Sequence, residues 1–339
     1  MDYNEKATST NGDTGRGNAL KRLKNITCPY TGIRMISGSE MNRIEQKLKE
    51  FHNIKEKIFF LSRYAKNMQA VEHRIFDQIT YFLDSNPSKG LQDFFNLAYD
   101  SHLRKLKLEE FKVIDRVDTK SALLSTPTQL ELRRETTKCR SQILDSNADV
   151  FFKRKTFLSA LDEIKPHNPY EERVLSEIKN LALFLPTSGS SESAFIVKYS
   201  RRGEADILRR IMIGSVATIE HVKPHSHGGR DVISNFLLVS NNGNKYRENI
   251  PLSAYIDRNP AIPEYCQIQM LEIISNIEKG NLKGNEAYPY KIKKTLFDES
   301  EGRILLDLSS FHITQERAQD LEEEAIKAKM GKWYVKMDD

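Results

Sequence analysis

Three cysteines in 339 residues, Cys28, Cys139 and Cys266, are too few and too widely spaced for a disulfide framework, and their odd number argues the same way. The expectation is a reducing, cytoplasmic setting. No apolar run approaches the roughly 18 residues that a membrane span needs, and no charged-then-apolar start marks a secretory signal, so no membrane partner is expected. An excess of one charge sign is also lacking. The 52 Lys and Arg nearly balance the 47 Asp and Glu, and the resulting +5 is compatible with a polyanionic partner without requiring one. No internal period or low-complexity array is present, which excludes a solenoid.

Glycine and proline are missing from two long stretches. Between Met41 and Asn86, apolar residues recur at helical spacing (Ile44, Leu48, Phe51, Ile54, Ile58, Leu61 and onward to Ile79), predicting one very long helix or two collinear ones. A second such stretch runs from Leu91 to Ser125. Thr126-Pro127-Thr128 signals the start of a third, with a break near Asp145 to Asn147. Residues 28–189 therefore read as an antiparallel helical domain, preceded at 1–27 by a polar, disordered tail. The run Lys153-Arg154-Lys155 reads as a solvated face or as a contact to nucleic-acid phosphates. Leu185 to Ser191 is the best candidate boundary, followed by two short helices broken at Gly203. Towards the C-terminus an amphipathic helix from Glu264 to Lys279 ends at Gly280, and residues 286–339 read as an extension with short strands between 288 and 308 and a final helix.

Definite chemistry is implied only in the stretch from Ala217 to Pro251, ATIEHVKPHSHGGRDVISNFLLVSNNGNKYRENIP. A β-branched run delivers Glu220 and His221, Pro224 and Gly228-Gly229 force a turn, Asn235 opens a second apolar run, and Asn244 sits in a polar segment with helical character. The coarse reading is strand, turn, strand, short helix. His221 precedes Asn235 by fourteen positions and Asn235 precedes Asn244 by nine. With the acidic residue before His221, Pro224 after it and the closing Asn244-Lys245, the stretch resembles the HNH endonucleases, the ββα-metal family. Its spacing is similar to that of the HNH domain of RNA-guided CRISPR effector nucleases.

The resemblance covers roughly 35 to 50 residues, and joined to the helical periodicity of the rest of the chain it gives a fold that is mainly α with a small α+β element. A long-helix N-terminal domain would precede an HNH domain over 190–285 with its ββα core at about 214–252, and a helical C-terminal extension would follow. It implies phosphodiester hydrolysis of DNA, one strand nicked per site, so that double-strand cleavage needs a homodimer, a second subunit or repeated nicking. His221 is the candidate general base, a neutral imidazole able to take a proton near pH 7. Glu220 and Asn244 are the candidate ligands of Mg²⁺, or Mn²⁺ in its place, through hard oxygen atoms. Asn235 has the donor and acceptor needed to tie the inter-strand loop to the backbone near His221. Arg201, Arg202, Arg209 and Arg210 before the hairpin, and Lys245 and Arg247 after it, are candidate phosphate contacts.

Two zinc readings also follow from the stretch. His221, His225 and His227 form H-x3-H-x-H, an incomplete ligand set whose use would consume the base. Many family members carry a structural zinc on two flanking C-x-x-C pairs. Here Cys28 has Thr31 in its partner position, and the second pair falls on Ser240 and Gly243, so no structural zinc is expected. Two further readings stay open: a non-catalytic nucleic-acid-binding or scaffold protein on a degenerate HNH fold, and an HNH nuclease directed at RNA. Restriction, phage defence, packaging, homing and mobile elements all employ the family, and nothing in the sequence chooses among them.

Overall fold

A computed structural model describes residues 17–145, 147–187 and 189–334. The protein is 66% helical with one small antiparallel sheet. The helices α1 (Gly38–Glu50), α2 (Ile54–Ser62), α3 (Ala70–Ser85), α4 (Leu91–Ser121), α5 (Thr126–Leu144), α6 (Val150–Glu163), α7 (Pro169–Ala182), α8 (Glu192–Tyr199) and α9 (Glu204–Ile213) lead to the strands β1 (Ala217–His221) and β2 (Phe236–Ser240). Five helices follow: α10 (Asn241–Arg247), α11 (Leu252–Arg258), α12 (Ile262–Glu278), α13 (Tyr288–Glu299) and α14 (Gln315–Tyr334). No helix among the described residues is long and apolar enough to cross a membrane.

The chain divides into two compact units, one formed by residues 70–211 and the other by the described residues before 70 and after 211. This differs from the division expected at 189–190. The segment 17–69 belongs with the hairpin, and α8 and most of α9 belong with the helical unit.

The helical unit is held by the apolar faces of α4, α5, α6 and α7, where Ile114, Val117, Leu132, Phe157, Leu161 and Ile178 meet in one cluster. Two ion pairs lie inside this unit, Lys153 with Glu110 at 2.7 Å and Arg210 with Glu72 at 2.6 Å. Lys153 and Arg154 are both buried, so two of the three cations in that basic run serve the interior rather than a phosphate backbone.

The expected long helix over 41–86 is instead three α-helices and a 3₁₀ turn. Asn53 caps α2, its side chain accepting from the Lys55 amide, and such local bonds compete with helix continuation. The 3₁₀ turn Ala65–Asn67 is then fixed from outside, because Asn67 Nδ2 donates to the Arg34 carbonyl at 2.7 Å.

Within the second unit, β1 pairs antiparallel with β2 in the register Ala217↔Ser240 through His221↔Phe236. On the other side of β1, the Ile36 amide donates to Ser215 O at 3.1 Å and the Ala217 amide to Ile36 O at 2.9 Å, so residues near 36 add a strand-like edge. Residues 17–27 are consequently not a free tail: Leu20, Leu23 and Ile26 are buried. Residues 1–16 of the expected tail lie outside the described residues. Helix α12 clamps both strips, Gln269 Nε2 lying 2.7 Å from both Thr27 O and Leu238 O. Tyr288 at the start of α13 donates its hydroxyl hydrogen to Phe236 O at 2.9 Å.

Of the four positions weighed as zinc ligands, Cys28, Thr31, Ser240 and Gly243, three are joined by hydrogen bonds. Cys28 Sγ lies 3.3 Å from Ser240 Oγ and accepts from the Ser240 amide at 3.2 Å, while Ser240 Oγ accepts from the Gly243 amide at 3.1 Å and from Gln69 Nε2 at 2.9 Å. A side chain at Gly243 would meet Cys28 Sγ and Tyr30 Cβ at 3.3 Å.

The short strands expected over 288–308 are absent. Pro289 opens α13 instead, in the first turn where a missing amide hydrogen costs nothing. Residues 304–308 do alternate, with Ile304, Leu306 and Leu308 buried and Leu305 exposed, but their partner is a side chain of α12: Gln267 exchanges two hydrogen bonds with the Asp307 backbone.

One buried carboxylate makes the helical unit sensitive to acid. Glu171 in the first turn of α7 accepts from the Ser125 amide at 2.9 Å, the Thr128 hydroxyl at 3.0 Å and the His167 amide at 2.9 Å. Hydrogen bonding from the Ser125 side chain is the largest cause that holds its pKa near 2, down from an ordinary 4.5, followed by the His167 and Ser125 amides. A carboxyl depressed by folding contributes stability above its unfolded pKa and loses it as pH falls through the folded one. Glu171→Gln is therefore expected to lower the unfolding midpoint in urea at pH 7, with the difference from wild type closing between pH 4.5 and 2.

Candidate functional site

Strand geometry separates the two residues that carry the motif. Neighbours on a strand point to opposite faces, and Glu220 and His221 do so here. Glu220 turns inward towards α10 and is 6% exposed. There its Oε1 accepts from Arg247 Nη1 at 2.9 Å. Arg247 is fully buried and makes four further bonds: Nη1 to the Tyr30 hydroxyl at 2.9 Å and to His221 O at 2.8 Å, Nη2 to Val222 O, and Nε to Ile250 O at 3.1 Å. Burial pushes the Glu220 carboxyl up to about 7, against the lowering effect of the guanidinium's charge and hydrogen bond.

This arrangement revises two expectations. Arg247 is enclosed and donates to backbone and to Glu220, so it ties α10 to the end of β1 rather than facing a phosphate. Glu220 offers its carboxylate to a guanidinium, and a cation at the same oxygen would meet that positive charge at hydrogen-bond distance. Asn244 is half-buried and its Nδ2 donates to Ile219 O at 3.3 Å, again fastening α10 to β1. As arranged, the pair Glu220 and Asn244 does not fit Mg²⁺, which requires several oxygens in open octahedral geometry and retained waters.

His221 takes the outer face. Its ring packs edge-on against Phe236 with centroids 5.2 Å apart, and its Nε2 lies 2.7 Å from Asp231 Oδ1. The bond from His221 is the largest cause lowering the Asp231 pKa, so the carboxylate is anionic at neutral pH. The loop that returns Asp231 to the histidine is fixed by Asn235, whose Oδ1 accepts from the Lys223 amide at 2.7 Å. Its Nδ2 donates to Lys223 O and to Arg230 O, each at 3.0 Å. The turn itself needs glycine: Gly228 has φ +82°, and a Cβ on Gly229 would stand 1.8 Å from Lys223 O. His225 sits on this turn with Nδ1 2.9 Å from Gly229 O and Nε2 3.1 Å from the same Asp231 Oδ1. His221, His225 and Asp231 thus present three ligand atoms within 4.8 Å of one another, and His227 stays outside the group.

No protein-family model matches the chain, and no curated protein and no solved structure is significantly similar to it.

The remaining candidate phosphate contacts divide between the two units. Lys245 on α10 is exposed and belongs to the hairpin unit. Arg201, Arg202 and Arg209 are exposed on the helical unit. Arg210 is instead buried against Glu72, with its guanidinium 5.5 Å from the Phe195 ring and 5.8 Å from the Tyr199 ring, and is not available to phosphate. Asp231 went unrecognised in the sequence. The signal that could have found it is its place directly after the glycine turn, where a loop between paired strands must return towards His221.

The enclosed ion pair makes a measurable prediction. Arg247→Met leaves Glu220 and several carbonyls without a donor and is expected to cost about 3–5 kcal/mol in urea unfolding. Replacing both partners, Glu220→Gln with Arg247→Met, is expected to recover part of that loss, because no lone buried charge remains.

Proposed function

We propose that the protein is an HNH-type endonuclease that hydrolyses phosphodiester bonds of DNA, with His221 as the general base. The observation that carries this reading is the imidazole at the rim of the hairpin, 2.7 Å from the Asp231 carboxylate and held there by the Asn235-braced loop. A hydrogen on Nε2 directed to Asp231 leaves the Nδ1 lone pair as the proton acceptor, and the carboxylate stabilises the imidazolium that forms when water gives up its proton. Asp231 thus takes an orienting role, and Asn235 positions the loop without touching substrate. Phe236 beneath the ring restricts its rotation. Lys245, on the exposed side of α10, is one exposed cation of this unit placed to meet a phosphate of the bound strand.

A second reading is favoured by one specific observation. The carboxylate expected to hold a divalent ion is enclosed with Arg247, which is what a fold retained for binding alone would tolerate. In that case the protein binds nucleic acid without cutting it.

The two readings separate on a gel. Supercoiled plasmid incubated with the protein in Mg²⁺ or Mn²⁺ is expected to become nicked, and a labelled RNA of matching sequence is the comparison substrate. His221→Ala is expected to slow nicking roughly 10²- to 10⁴-fold, the usual worth of a general base. Asp231→Asn should slow it by a smaller factor. Binding of DNA with no cutting by wild type, unchanged in His221→Ala, would establish the second reading instead.

A further inference from the structure

We propose that His221 Nε2, His225 Nε2 and Asp231 Oδ1 form a binding site for a transition-metal ion of the Zn²⁺ type, and that filling it withdraws His221 from proton transfer. The consequence for His221 rests on the nuclease reading; the site itself does not.

The geometry of His225 leads to the site. The Gly229 carbonyl, 2.9 Å from Nδ1, can only accept, so Nδ1 carries the hydrogen and a neutral ring turns the lone pair of Nε2 outward. That lone pair is 3.1 Å from Asp231 Oδ1, which is itself an acceptor. The same oxygen also receives His221 Nε2 at 2.7 Å. A hydrogen on His221 Nε2 accounts for the first contact, but a neutral His225 then meets Asp231 lone pair to lone pair, an arrangement that a cation among the three atoms relieves. A backbone carbonyl on the far nitrogen is the usual companion of a metal-binding histidine, fixing its tautomer and ring orientation.

Dimensions and donor chemistry agree with this. Bonds of about 2.0–2.2 Å to nitrogen and oxygen place neighbouring ligands of a tetrahedral ion about 3.4 Å apart, so the contacts of 2.7 and 3.1 Å must open by less than about 1 Å, the three ligand atoms already lying within 4.8 Å of one another. Two imidazoles and one carboxylate suit Zn²⁺, Ni²⁺ or Co²⁺ rather than Mg²⁺, and three protein ligands leave a position for water. The site is reachable, since His225 and Asp231 are both exposed. It is also prearranged. Asn235 braces the loop at Lys223 and Arg230, and the Gly229 amide donates to Pro224 O at 3.0 Å. An ion on Nε2 of His221 moves the remaining ring hydrogen to Nδ1 and removes the lone pair that the base requires.

The experiment is Zn²⁺ titration of the full chain by calorimetry without nucleic acid, with circular dichroism showing that each variant is folded. Wild type is expected to take one ion. Binding should weaken at least tenfold in His225→Ala and in Asp231→Ala, and should be unchanged in His227→Ala, whose ring lies on the same turn but outside the group. Equal binding by wild type, His225→Ala and Asp231→Ala would overturn the proposal. So would no binding by wild type, or an equal loss in His227→Ala, which would mark adsorption to a histidine-bearing turn. In the plasmid assay, Zn²⁺ added over Mg²⁺ should suppress nicking by wild type at concentrations that leave His225→Ala unaffected. If wild type cuts no substrate, the nuclease reading fails while the titration still decides the site.

Discussion

The guanidinium of Arg247 is the point on which the hairpin unit depends. It reaches from the last turn of α10 into the interior and bonds to the carbonyls of His221, Val222 and Ile250, to Tyr30 and to Glu220. A planar group with five hydrogens in fixed directions can satisfy several buried acceptors at once, which a lysine at this place could not do. Through these bonds one side chain sets the end of β1, the start of the following loop and the closure of α10. Glu220 completes the set by supplying a counter-charge, and the cost of burying both groups is offset because each guanidinium nitrogen finds an acceptor.

Fixing the end of β1 has a consequence on the opposite face. His221 emerges at the rim with its ring backed by Phe236, and the next fourteen residues must return to the register partner. They do so over Gly228 and Gly229, a path that Asn235 holds with three hydrogen bonds to backbone. Asp231 and His225 are carried to His221 by that path. The interior pair and the exterior cluster are therefore two products of one strand: alternation sends the acid inward and the imidazole outward, and the loop then provides the imidazole with a different carboxylate.

The order of strand, loop, strand and short helix was legible in residues 217–247, because β-branched runs, a Pro and Gly-Gly turn and a polar helix start are local signals. The break between α5 and α6, the halt at Gly203 and the end of α12 before Gly280 were legible for the same reason. What misled was local appearance at positions governed by distant partners. An unbroken apolar period over 41–86 gave no warning that Asn67 would be drawn to Arg34 and Gln69 to Ser240. Basic residues such as Lys153, Arg210 and Arg247 looked like a phosphate-binding surface, yet each is drawn inside by one acid: Glu110, Glu72 and Glu220 respectively. The alternation at 304–308 is real, but a glutamine on α12 took the place of a neighbouring strand.

By itself the sequence determined the secondary-structure grammar of the hairpin region and the chemical types available there: the acids Glu220 and Asp231, three histidines, several asparagines and a glycine turn. These follow from short-range backbone preferences and from composition, which need no knowledge of the rest of the chain. Only the tertiary structure decided which acid serves which base. Glu220 is adjacent to His221 in sequence but on the other side of the sheet, and Asp231, ten residues away, is the carboxylate that meets it. The reason is physical: a strand separates neighbours across its two faces, whereas a closed loop brings distant residues together.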